Sequence, residues 1–219
     1  MAGAEVFATL MQFCCVGFIG SVFVFMLLVI AAVIVSSSKA KASFRDAVKT
    51  VSQDLGLAFI ESGADVRAEG ELRGRKVLVD MIQVHVESGD LDGGRGFDVT
   101  YTRAQASRVG GLEERILVKR EGVQTKLDKM FKVAKDIELG INSEFDRRYM
   151  VLCDDVGASR AVLDAGVQSR MVGLSSHLRE VLLEKEYSRC LMIGLVGDKG
   201  LLMGLLDLAV DIAEKSERR

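Results

Sequence analysis

From Val6 to Ser38 no residue carries a charge. The segment Phe13–Val35 reads FCCVGFIGSVFVFMLLVIAAVIV. It is long enough to cross a ~30 Å hydrocarbon core as a helix with some tilt. Inside a bilayer the backbone must satisfy its own polar groups, and a helix does so. The triplet Ala40-Lys41-Ala42 has the form of a signal-peptidase site. A secretory signal, however, starts with positive charge and has an apolar region of only ~7–15 residues. No Lys or Arg precedes this run, and the run is longer, so a retained anchor is expected.

The flanks give a direction. Lys39, Lys41, Arg45 and Lys49 follow the run, and positive charge stays on the cytoplasmic side. The expected layout is a short extracytoplasmic N-terminus at 1–12, a transmembrane helix at 13–36, a linker at 37–42 and a cytoplasmic domain at 43–219. The bilayer is thus one partner. Gly17 and Ser21 form a small-xxx-small pair that permits close approach of a second helix, although small residues are common in membrane spans.

Beyond Ser38 the material changes. Hydrophobic residues make up 49% of the whole chain and the net charge is −2, yet roughly a third of Lys39–Arg219 is charged, above the usual quarter of a soluble chain. Without a basic stripe there is no signal for nucleic acid. Proline is absent, so turns depend on Gly, Asp, Asn and Ser. Four cysteines occur, Cys14, Cys15, Cys153 and Cys190, without zinc-site spacing. A Cys153–Cys190 disulfide stays open on sequence grounds; both sit in apolar runs where a free buried cysteine is ordinary.

Phe44, Val48, Val51, Leu55 and Phe59 recur at helical spacing, behind a capping start at Ser43-x-x-Asp46, and predict an amphipathic helix over 43–59. From Val66 to Arg120 the period becomes two. Val77, Val79 and Met81 keep one phase and Ile82, Val84 and Val86 the other, which predicts a bulge at Met81–Ile82. Phe97-Val99-Tyr101 and Ile116-Val118 are further strands, with turn signals at Arg73-Gly74 and Gly93-Gly94. A short helix is expected over 127–134, and a strand buried on both faces over Tyr149–Cys153. The spacing of Val167, Met171, Leu174, Leu178 and Val181 predicts one helix. A hairpin is expected from Leu191–Val196 and Leu201–Met203 around Gly197-Asp198-Lys199-Gly200, then a helix over 205–215. The fold class is α+β, with a mainly antiparallel sheet and packed helices.

Chemistry-bearing patterns are sparse. His85 and His177 lack an adjacent ligand set. Asp90 and Asp92 begin a loop whose later positions, Gly94, Arg95 and Tyr101, do not fit a calcium site. The glycines of Gly194–Gly200 lack the spacing and the hydroxyl of a phosphate loop. Asp154 and Asp155 suit strand termination and helix capping. No catalytic residue, cofactor or metal site is assigned, and a non-enzymatic chain is expected.

One ordered set of motifs remains: Leu55-Gly-Leu57, Gly70-Glu-Leu-Arg73-Gly-Arg75, Tyr101-Thr-Arg103, and Phe145-Asp146-Arg147-Arg148-Tyr149 after Asp136–Gly140. This order resembles a group of bacterial proteins that often carry an N-terminal membrane helix and have no assigned activity. The resemblance spans about Leu55–Met203. It implies a shared fold; the inner-membrane setting is expected from the uncharged run and its basic flank. Asp146 is expected to accept backbone amides or to pair with Arg73, Arg75 or Arg103, while Phe145 enters the core and Tyr149 opens the strand. An accessory, scaffold or interaction subunit follows, alone in copies or beside another membrane protein. The alternative is a binder of a small anion through Arg147 and Arg148, since arginine forks match carboxylate and phosphate.

Overall fold

A computed structural model describes residues 2–63, 65–86, 97–110, 115–121, 137–153 and 155–217. Contacts gather into two units, Met1–Ala42 and Ser43–Arg219. One helix, α1 (Ala2–Leu55), supplies the whole of the described first unit and the start of the second. Its part from Phe25 on is long and apolar enough, by length and composition, to cross a membrane. The side chains of Phe25 to Ile30, and of Val35, are exposed.

The expected linker at 37–42 is helical instead, and no separate helix begins at Ser43. Between Ser21 and Leu55 there is neither glycine nor proline, so nothing in the chain breaks the ladder. The helix ends where Gly56 takes φ +68°. The Leu57 amide then returns to the Ser52 carbonyl at 2.8 Å, the six-residue closure that a left-handed glycine permits. Phe59, expected in this helix, lies in the first strand.

Among the described residues the second unit contains eight strands: β1 (Ala58–Ser62), β2 (Asp65–Leu72), β3 (Arg75–Val86), β4 (Phe97–Ser107), β5 (Ile116–Arg120), β6 (Tyr149–Leu152), β7 (Leu178–Leu183) and β8 (Tyr187–Ile193). They form one antiparallel sheet in the order β1-β2-β3-β4-β8-β7-β5-β6. Helices α2 (Ser143–Arg148), α3 (Val156–Val162), α4 (Ala165–Gly173) and α5 (Lys199–Glu217) accompany the sheet among the described residues. The class is α+β.

One register row explains the core. Ala68, Val79, Ala104, Cys190, Val181, Val118 and Val151 stand side by side across seven strands, and all are buried. Alternation puts them on one face. Leu202, Leu205, Leu206, Ala209 and Ala213 of α5 join the same cluster, as do Phe44, Ala47, Val48 and Val51 of α1. Each such Val or Leu contributes about 1.5–3 kcal/mol on burial. Ala104 and Ala106 have little side chain, which lets α5 lie close to β4.

Several expectations are corrected. The β3–β4 register runs unbroken from Val77↔Ala106 to Val86↔Phe97. There is no bulge at Met81–Ile82; the hairpin carries apolar side chains on both faces, which mimics a phase slip. The one irregular register in β7–β8 lies between Leu178 and Glu180. The helix expected through Val181 stops at Gly173, and Leu178 and Val181 belong to β7. Their helical spacing spans two elements by coincidence. The hairpin around Gly197–Gly200 is absent: β8 ends at Ile193, and the Asp198 carboxylate takes the Leu201 amide at 2.8 Å to begin α5. Tyr149, Met150 and Val151 are buried, but β6 ends the sheet rather than sitting inside it, and it stops at Leu152. The 127–134 helix, the Gly93-Gly94 turn, the Asp90–Asp92 loop and Asp154 lie outside the described residues.

Candidate functional site

Asn142 opens the segment SEFDRRYMV by capping α2, its side-chain oxygen accepting from the Glu144 and Phe145 amides at 3.0 and 3.2 Å. An asparagine at this position satisfies amides that a helix start leaves without partners. Asn142 and Ser143 thus form a helix start. Phe145 faces the core and stacks on Tyr149, with ring centroids 5.2 Å apart. The Tyr149 hydroxyl donates to the Met171 carbonyl at 3.0 Å. Burial pushes its pKa up to about 12.

Asp146 accepts from the backbone amides of Leu139 and Gly140 at 3.2 and 3.0 Å. It fixes the bend at Gly140, where φ is +68°. The structure does not bring Arg73, Arg75 or Arg103 to it; each has a carboxylate elsewhere. Arg73 donates to Asp211 at 2.7 Å and Asp207 at 2.9 Å. Arg75 grips Glu217. Arg103 pairs with Asp80, directly opposite on β3, at 2.8 and 2.5 Å.

Arg147 and Arg148 lie in the last turn of a helix, not on a strand. The Arg148 guanidinium donates to the Ser175 hydroxyl and the Glu144 carboxylate. Arg147 is 75% exposed, with Glu144 at 4.0 Å. Of the segment's two arginines, only Arg147 projects well into solvent. Gly17 and Ser21 fall within α1, at positions whose side-chain surroundings lie outside the description.

The motif residues hold the fold together pairwise. A side chain on Gly70 would come within 2.9 Å of the Leu57 Cδ2 atom, so the glycine lets β2 lie against the chain leaving α1. Arg73 stands at φ +52° beside Gly74 at +75°, and this turn aims Arg73 at α5. Thr102, fully buried, donates to the Gly194 carbonyl at 2.8 Å and accepts from the Val196 amide at 3.0 Å. One hydroxyl thereby pins the reversal between β8 and α5.

Sequence reasoning missed the other half of these pairs. Asp211 receives both Arg73 and Arg170 while almost buried. Glu217 also takes the Val109 amide at 2.6 Å, and the hydrogen bond from Arg75 holds its carboxyl below the usual range. Arg108 is buried, donates to the Glu184 carbonyl, and has its pKa lowered by desolvation. The available signal was the i, i+4 pair Asp207 and Asp211 in the otherwise uncharged stretch Gly200–Ala213 of α5.

His85 meets Asp98 at 2.8 Å and His177 meets Ser176 at 2.7 Å, both on the exposed surface. Cys153 and Cys190 are not joined by a disulfide. Among the described residues, no group of three or more His, Cys, Asp or Glu is placed to hold a metal. An open groove of 770 Å³ carries Glu69, Glu71 and Glu186 against a single lysine, Lys76, a balance that disfavours an anion.

No protein-family model matches the chain, and no curated protein sequence matches it. A solved structure, that of the mycobacterial trehalose monomycolate transport factor A, TtfA, is similar at 13% identity over 78% of this chain and 93% of that one, with a TM-score of 0.46.

Proposed function

We propose that the chain is a single-pass, membrane-anchored accessory or scaffold subunit without catalysis, holding its α+β domain in the cytoplasm for interaction with other proteins. The observation that carries this reading is that one helix, α1, contains both the uncharged run and the buried face Phe44-Ala47-Val48-Val51 of the domain. An element so shared serves to keep a folded domain at a bilayer. The commitment of Arg73, Arg75 and Arg103 to internal carboxylates adds support, because paired guanidiniums hold the fold rather than a ligand. The anion-binding alternative loses Arg148 to Glu144 and Ser175, and the groove's acids oppose it.

Extraction in mild detergent followed by affinity purification tests the proposal. Co-purification of a defined membrane partner, or a stable oligomer, is expected. A chain that is always monomeric and alone would overturn it. Protease added to intact and to opened cells tests the orientation: the domain should be cut only after opening.

A further inference from the structure

The sheet ends in two edge strands, β1 and β6. The β6 edge is in use: the Val151 carbonyl accepts from the Ile137 amide at 3.0 Å. Among the described residues no strand pairs with the outer side of β1. An edge strand offers a row of backbone groups to any extended chain, and proteins blunt such edges with lysine, proline, bulges or very short strands. β1 reads Ala-Phe-Ile-Glu-Ser, without lysine or proline. Its register with β2 runs unbroken from Ala58↔Glu69 to Ser62↔Asp65, and its 5 residues are an ordinary strand length. Glu61 is its one charged side chain, and Arg45 holds it at 2.9 Å.

The pairing fixes which backbone groups face outward. Ser62 and Asp65 are partners across a two-residue connection, and such a closing pair exchanges both of its hydrogen bonds. Every second residue repeats this, so Ser62, Ile60 and Ala58 turn their backbone groups to β2. Phe59 and Glu61 turn theirs outward. Phe59 packs on the core, so alternation places Ile60 on the other face of the sheet, where it is half-buried.

A second β1 fits this edge, antiparallel, in one register. With a two-fold axis at Ile60, Phe59 of each copy lies opposite Glu61 of the other, and every outward amide and carbonyl finds a partner. Ile60 meets its own copy at a pair without hydrogen bonds, where Cα atoms approach to ~4.5 Å and side chains are close. An axis at Phe59 would call on the Leu57 amide, which is already given to the Ser52 carbonyl. An axis at Glu61 would set two like charges face to face, which destabilises. The edge is therefore complementary to itself, as an interface between identical surfaces must be.

We propose that β1 pairs with β1 of a second copy about a two-fold axis at Ile60, joining two domains through one continuous sheet. This rests on the interaction-subunit reading above and names its partner. Ile60→Cys tests it in the full-length chain carrying Cys14→Ala, Cys15→Ala and Cys153→Ser, with the fully buried Cys190 retained. Val109→Cys, 77% exposed, is the control. Oxidation of membranes with copper phenanthroline should convert most of the Ile60→Cys chain, and little of the Val109→Cys chain, into a dimer that reductant splits. Ile60→Lys sets two ammonium groups face to face at the axis. In mild detergent the light-scattering mass should fall from two chains to one with this variant, while its melting stays close to that of the parent. A dimeric mass without a cross-link at position 60, and unmoved by Ile60→Lys, overturns the edge pairing and leaves the oligomeric reading standing. A monomer bound to a different membrane protein overturns the second copy and leaves the interaction reading standing. A monomer always alone removes both.

Discussion

Arg75, the first residue of β3, holds Glu217, the last residue of α5, through two parallel hydrogen bonds of 2.5 and 2.6 Å. Both side chains are largely buried, at 10% and 18% exposure. A bidentate pair in such a setting is among the stronger polar contacts, and losing one partner leaves a charge without its mate. Glu217→Gln should destabilise the domain by about 1–3 kcal/mol, read as a lowered chemical-denaturation midpoint with unchanged slope. The pair also sets an acid limit. Glu217 has a depressed pKa in the folded state, chiefly through the Arg75 bond. Its contribution is complete above the ordinary glutamate value of ~4.3 and is lost as pH falls through and below it. Glu217→Gln should flatten the acid side of the stability profile; an unchanged profile would place the acid sensitivity elsewhere.

Gly197 is needed for space rather than for backbone freedom. A β-carbon there would sit 2.8 Å from the Ser43 Cβ and 3.3 Å from its carbonyl carbon. Gly197→Ala should cost about 1–3 kcal/mol through overpacking. Ser43→Gly in the same chain should recover part of that loss, because it removes the nearer obstacle. Thermal melting of both singles and the double gives the coupling. Purely additive effects would mean the two do not meet.

The segment SEFDRRYMV separates a fold-holding acid from an exposed base. Asp146→Ala strips acceptors from the Leu139 and Gly140 amides and should cost about 1–3 kcal/mol. Arg147→Ala, at an exposed site, should stay within about 0.5 kcal/mol. Denaturation midpoints of the two variants check the contrast. A large loss from Arg147→Ala would show that this side chain has structural work not evident in its surroundings.

Tyr149 supplies an alkaline counterpart. Its folded pKa is pushed up to about 12 by burial, so the neutral phenol is the form that folding favours. The resulting stability is complete below the unfolded value of ~10 and is lost as pH rises from there towards 12. Ultraviolet titration of tyrosinate should show a late step that Tyr149→Phe removes. The same variant leaves the Met171 carbonyl without its donor.

How much of this was legible depends on the range of the interaction. The uncharged run declared itself because lipid solvates one residue type at a time, so composition over a window suffices. The strands β3 and β4 were legible because period two is a local property. Gly56, Asp198 and Asp155 act within a few residues, yet Asp198 was misread, since a Gly-Asp-Lys-Gly stretch suits a hairpin turn as well as a helix start. Val167 to Val181 kept a helical period across a boundary made by Gly173, and only the pairing of Leu182 with Arg189 of β8 and Leu117 of β5 shows a strand there.

The sequence by itself determined that the chain has one lipid-compatible segment, an α+β domain behind it, and a short list of residues with structural duties. Tertiary structure alone decided whom those residues meet. Arg73 reaches Asp211 across 138 positions and Arg75 reaches Glu217 across 142. Arg103 finds Asp80 rather than Asp146. Charge and size are written residue by residue, but an ion pair is a distance, and distance across the sheet exists only once β2 through β8 and α5 have packed.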